Sequence, residues 1–161
     1  MAYQQPPWAA TTSDYAVAQP AYANWLYRVG AYLIDAIVTS ALIWIGFILI
    51  SALGLRDAAG TPTGAGLVIY IVTLLASAVI GIWNTFIRQG RTGQSLGKQA
   101  LGIRMISATT GQPIGGWMTF VRQLAHILDS LPCYIGWLWP IWDSRRQTFA
   151  DKILGTVVVR A

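Results

Sequence analysis

Two stretches of this chain carry no charged residue over the length that a helix needs to cross a bilayer. Ala36 to Leu55 gives 20 such residues and Gly64 to Ile87 gives 24, against about 20 for one helical crossing. Hydrocarbon offers no partner to a bare backbone N–H or C=O, and a helix satisfies these groups within itself. The pattern therefore predicts an all-α membrane protein with two transmembrane helices. Composition agrees, because 55% of the 161 residues are hydrophobic and only 11% are charged, about half the charge of an ordinary soluble domain. That length suits one domain.

The membrane segments are expected at about residues 25–53, 65–87 and 117–142, inside a membrane domain of 24–161. Residues 1–23 mix Gln, Pro, Ala, Thr and Tyr without periodicity. They have neither the basic start nor the apolar run of a signal peptide, and are expected to form a disordered tail. The first segment can be framed in two ways. A helix entering at Trp25 and Tyr27, as aromatic anchors, puts Asp35 roughly 12–15 Å deep at about 1.5 Å per residue, whereas entry at Ala36 leaves Asp35 at the interface. The first frame is preferred.

The third segment is different. It contains Arg122, His126 and Asp129, and only 13 uncharged residues follow, Ser130 to Trp142. A run that short is expected to be broken or re-entrant, and Pro132 and Pro140 each remove a backbone donor. Two stretches at about 101–107 and 156–160 have the alternation and β-branching of strands and are expected to form a small cytoplasmic β element, with the turn at Thr109 to Pro113. The loop between the first two crossings is nearly neutral through Arg56 and Asp57. The stretch after the second is basic, with Arg88, Arg91, Lys98 and Arg104. This asymmetry predicts a multi-pass membrane protein with its N-terminus and residues 88–116 in the cytoplasm.

The net charge of +5 flanks apolar runs, so the expected neighbours are membrane lipids and not nucleic acid. A homo-oligomer or a membrane protein partner also fits. Cys133, the single cysteine, is expected to be a small apolar filler. No phosphate loop, nucleophile elbow or metal-ligand spacing is present, since TGQSLGKQ lacks the Ser/Thr that should follow Lys98. No enzymatic role, cofactor or metal is expected, and the lone His126 suits a packed polar contact better than a ligand.

Charged groups within membrane segments cost at least ~2.5–3.5 kcal/mol each on insertion scales unless they find a partner or water. Arg28, Tyr32, Asp35 and Thr39 share one helical face, and Thr73, Ser77, Gly81 and Asn84 make a stripe of small or hydrogen-bonding groups on the second helix that should pack against it. Tyr27 to Ile37 also aligns without gaps with Val121 to Leu131, matching Arg28 to Arg122 and Asp35 to Asp129. A pseudo-symmetric site with two Arg and two Asp would follow. Two readings stand: Arg28/Asp35 and Arg122/Asp129 are neutralising pairs that fix helix register, or the carboxylates, with His126 as relay, carry protons or small cations.

These residues resemble the RDD family of bacterial multi-pass membrane proteins, named for one arginine and two aspartates. Arg28 and Asp35 look like its first two signature residues. Thr92 to Gly115 is similar to its Gly-x-Ser/Thr-x-Gly-Lys-x-x-x-Gly-x-Arg block, and Ser144 to Arg160 to its closing segment. Asp151 is the candidate for the second aspartate, with Asp129 as rival. A His often precedes that aspartate in relatives, and here Ala150 does, so no role for that His carries over. The resemblance implies a bacterial multi-pass protein of mostly unassigned function, with cation/proton exchange suggested for some relatives; the expected role, without assigned catalysis, is structural or adaptor. Its alternative is a small antiporter-like transporter of Na⁺, K⁺ or H⁺ that uses the intramembrane Arg/Asp groups.

Overall fold

The computed structural model describes residues 21–161. Two long apolar helices form its frame. α1 (Trp25–Ala52) starts where the Asn24 side chain accepts the Tyr27 N–H, and α2 (Gly64–Ile82) starts on Thr63, whose hydroxyl accepts the Gly66 N–H. Each cap satisfies a donor that the first turn leaves without a helical acceptor. α2 widens into a π-helical stretch, Trp83–Arg88, and closes with α3 (Gln89–Thr92), so one apolar helical run extends over Gly64–Thr92. The small residues of the second stripe face α1. A side chain at Gly46 would strike Thr73, and one at Gly81 would lie 3.1 Å from the Thr39 methyl group.

Two very short helices lead into the two strands. α4 (Leu96–Ala100) is followed by β1 (Ile103–Ser107), and α7 (Phe149–Ile153) by β2 (Thr156–Arg160). The strands pair antiparallel, with Met105 opposite Val158. The turn after β1 forms at the expected place, where Ser107 N–H donates to Gln112 C=O and Gly111 adopts φ 69°. Residues 1–20 of the expected tail lie outside the described residues. Ala21 to Ala23 join the sheet: Ala23 N–H donates to Val158 C=O, and Arg160 N–H to Ala21 C=O. Ala23, Ala31, Ile103, Met105 and Val158 form a small apolar core beneath the start of α1.

The third segment is broken. α5 (Gly115–Ser130) ends before Pro132, and Cys133 and Tyr134 turn the chain through positive φ (50° and 62°). α6 (Ile135–Leu138) and a 3₁₀ turn (Trp139–Ile141) follow. Cys133 is exposed on this turn, which corrects its expected place as a buried filler; two consecutive positive-φ residues throw the chain outward there. α5 is amphipathic in the reverse of the usual sense. Thr119, Arg122, His126 and Asp129 are buried, while Trp117, Leu124, Ile127 and Leu131 are exposed. Over the described residues as a whole, the buried side chains are more often polar than apolar, and the large hydrophobic residues of α1 and α2 lie mostly on the surface. In water such surface would cost roughly 25 cal/mol for every Å² left exposed, whereas in lipid it would not. An arrangement with its polar groups inside is suited to hydrocarbon surroundings.

Candidate functional site

The expected intrahelical pairs do not form. Arg28 and Asp35 share a face but lie seven residues apart, about 10 Å along the axis, beyond direct contact. Arg122 and Asp129 are separated in the same way. Both arginines turn instead to Asp151, on α7. Arg28 Nη1 donates to Asp151 Oδ2 at 2.6 Å, and Arg122 donates through Nε (2.9 Å) and Nη2 (2.7 Å) to Oδ1. Asp151 also accepts the Thr156 hydroxyl and the Thr148 N–H, the latter closing a capping box at the start of α7. Its carboxylate is fully buried, and burial alone would raise its pKa. The two guanidinium groups outweigh that effect and hold it well below the usual carboxylate range.

Asp35 and Asp129 each do a different task. Asp35 accepts the Asn84 amide at 2.8 Å, the Ser95 hydroxyl at 2.5 Å and the Gly97 N–H at 2.8 Å. The π-helical stretch of the second long helix presents Asn84 there, and the Asn84 carbonyl oxygen takes the Leu96 N–H. α1, α2 and the start of α4 are thereby tied together at one carboxylate. Gly97 permits the approach, because any side chain at 97 would collide with the Ala31 carbonyl. Asp129 plays the equivalent part on α5. It accepts the Phe149 N–H (2.8 Å) and the Ala150 N–H (3.4 Å), and pairs with His126 Nδ1 at 2.5 Å. His126 stacks on Trp137 at 4.4 Å between ring centroids. Trp137 in turn donates to the Ser130 hydroxyl, and its carbonyl accepts the Trp25 indole N–H.

The charged residues expected at the site, Arg28, Asp35, Arg122, His126, Asp129 and Asp151, therefore meet around α4 and α7. Tyr32 does not join them and is exposed. Ser77 is buried, and among the described residues its hydroxyl has no hydrogen-bond partner. Sequence reasoning missed Ser95, Gly97 and Lys98 as members of the site, although they stand within the central block Thr92 to Gly115. Lys98 donates to the Gln89 side chain at 2.7 Å and, among the described residues, pairs with no carboxylate. It is half-buried by surface area, yet enough protein surrounds its amine that burial, with Arg122 nearby, pushes its pKa down to about 8. Among the described residues no cluster of His, Cys, Asp or Glu has the arrangement of a metal site.

Comparison with known sequences gives relatives along nearly the whole chain. A model of the RDD family matches residues 22–155. A proline-rich antigen of Mycobacterium leprae (strain TN) is 44% identical over 151 residues, which cover 85% of this chain and 60% of the relative. A proline-rich antigen homolog of Mycobacterium tuberculosis (strain ATCC 25618 / H37Rv) is 36% identical over 151 residues, covering 86% and 63%. The chain thus spans about three fifths of the length of the curated relatives it matches. No solved structure matches.

Proposed function

Because this chain belongs to the RDD family over residues 22–155, we propose that it serves as a structural or adaptor component of the bacterial cell membrane, with the Arg/Asp cluster as its internal fastening. One observation carries this reading: the central carboxylates are already occupied by protein donors. Asp151 accepts five hydrogen bonds, from Arg28, Arg122 (two), Thr148 and Thr156, where a carboxylate has roughly four lone-pair positions. Asp35 holds three donors and Asp129 holds two backbone N–H groups besides His126. A cation in transit would have to displace them.

α1 and α2 cross the bilayer in this proposal, and α5 with α6 enters and returns. Support comes from the sheet. β1 and β2 pair along their whole length and Ala21 to Ala23 pair with β2, and one sheet cannot lie on both sides of a membrane. Whichever frame α1 takes, Asp35 keeps polar partners. The basic segments that follow the second crossing favour a cytoplasmic position for this sheet and for the N-terminus. Membrane lipids, and a second copy or another membrane protein, are the partners expected on the exposed apolar faces.

The rival reading, exchange of Na⁺, K⁺ or H⁺, draws on the buried His126–Asp129 pair, which could pass a proton. Purified protein in liposomes under an imposed Na⁺ or K⁺ gradient discriminates between the two. No cation-dependent proton flux is expected, and Asp35→Asn should lower the yield of monodisperse protein in detergent. Flux by folded protein that Asp35→Asn abolishes would overturn the structural reading in favour of the rival.

A further inference from the structure

The chain holds one structural unit twice. Ser95 caps α4 and Thr148 caps α7, with nearly the same backbone angles (φ −75°, ψ 172° and φ −76°, ψ 174°). Both helices end on a leucine, Leu101 at φ −99° and Leu154 at φ −96°. A left-handed glycine follows each, Gly102 at φ 62° and Gly155 at φ 59°. One shift of 53 positions maps every boundary of the first set onto the second: 96 to 149, 102 to 155 and 103 to 156.

The sheet obeys the same relation. Met105 lies opposite Val158, its own equivalent under that shift. The flanking bonds Ala108 N–H to Gly155 C=O and Ala161 N–H to Gly102 C=O are mates, each 2.8 Å. Further out, Arg28 and Asp35 on α1 correspond to Arg122 and Asp129 on α5. Asp35 accepts the Gly97 N–H, and Asp129 accepts that of its equivalent, Ala150. The copies differ in what links helix to cap. The first carries the rest of α1 and the whole of α2, and the second only the shorter α6 region.

They differ again at one charged position. The third residue of α7 is Asp151, and its equivalent in α4 is Lys98. Asp151 receives Nε and Nη2 of Arg122, the arginine of its own copy. Lys98 cannot accept, and its amine turns away to Gln89. Among the described residues, Arg28 Nε and Nη2 are buried without an acceptor, and they are the same two atoms that Arg122 uses.

We propose that the chain is an internal dimer of one helix–cap–strand unit, related by a pseudo-two-fold axis at the Met105–Val158 pair. In it, position 98 is a carboxylate site that Lys98 leaves unfilled, and the free side of the Arg28 fork is what that carboxylate would take. The interface between the halves is isologous, as between two copies in a symmetric dimer. The test uses the full chain in detergent, read by thermal midpoint and by monodisperse yield. Lys98→Asp supplies the acceptor and completes a capping box with Ser95, so its midpoint should exceed that of the wild type by about 3 °C or more. Lys98→Met, which removes the cation without adding an acceptor, should gain less. The introduced carboxylate should also stand in for a lost Asp151, so Lys98→Asp with Asp151→Asn should recover yield that Asp151→Asn alone loses. The proposal is overturned if Lys98→Asp is no more stable than Lys98→Met, if it fails to fold where Lys98→Met folds, or if the double variant does no better than Asp151→Asn.

Discussion

Asp151 is the residue on which the polar interior turns. It joins α1 and α5 through Arg28 and Arg122 while capping its own helix. Removing one partner of a buried ion pair leaves uncompensated charge and costs about 3–5 kcal/mol. Asp151→Asn, which strands two arginines, should fall in that range, measurable as lost thermal stability in detergent. The pH dependence has a definite sign. A carboxylate depressed in the folded state contributes stability above its ordinary value of 3.8 and loses it as pH falls below that value. Acid unfolding should therefore steepen below about pH 4, and the steepening should be weaker in Asp151→Asn. Lys98 behaves in the opposite direction. Its pKa is lowered from 10.5 to about 8, so between those values the unfolded chain binds the extra proton and stability rises with pH. A titration of thermal midpoint from about pH 7 to 11 should show that rise in the wild type and a flat profile in Lys98→Met.

At the scale of elements, the two short helices do the joining, and close packing makes it possible. Gly97→Ala should force α4 away from α1, because the new methyl would overlap the Ala31 carbonyl. Overpacking of this kind costs about 1–3 kcal/mol. A midpoint equal to the wild type in a thermal melt would refute that tightness. What sequence reasoning finds and misses follows from element length. α1 and α2 are legible because an uncharged run of about 20 residues or more has few other fates, and the strands because Thr156 to Val159 is β-branched and Leu101 to Ser107 alternates. Helices of five residues leave too little periodicity to read, so α4 and α7 escape it, and with them the backbone N–H groups that Asp35 and Asp129 accept. Helical spacing correctly puts Arg28 and Asp35 on one face. It says nothing of what stands opposite, so the true partner, 123 residues from Arg28, is out of its reach, although resemblance alone points to Asp151 as the second aspartate.

The molecule as a whole is turned inside out relative to a water-soluble fold, with charge at its centre and Trp, Leu and Ile outside. Its small sheet gathers segments from the start, middle and end of the described chain. That gathering has a topological outcome open to measurement. Thr109→Cys and Ala161→Cys, each in a Cys133→Ser background, should react with a membrane-impermeant thiol reagent from the same face of the membrane. Labelling from opposite faces would exclude a returning third segment. The sheet also determines how the domain answers mechanical load. Ala21 is bonded directly to Arg160, and Ala161 to Gly102, so tension applied through the flanking chain acts first on these two outermost rungs. The remaining rungs then open in succession, as in a zipper, before any force reaches the helices. Whatever is tethered to either flank can tug at the fringe of the domain while its long apolar helices stay seated.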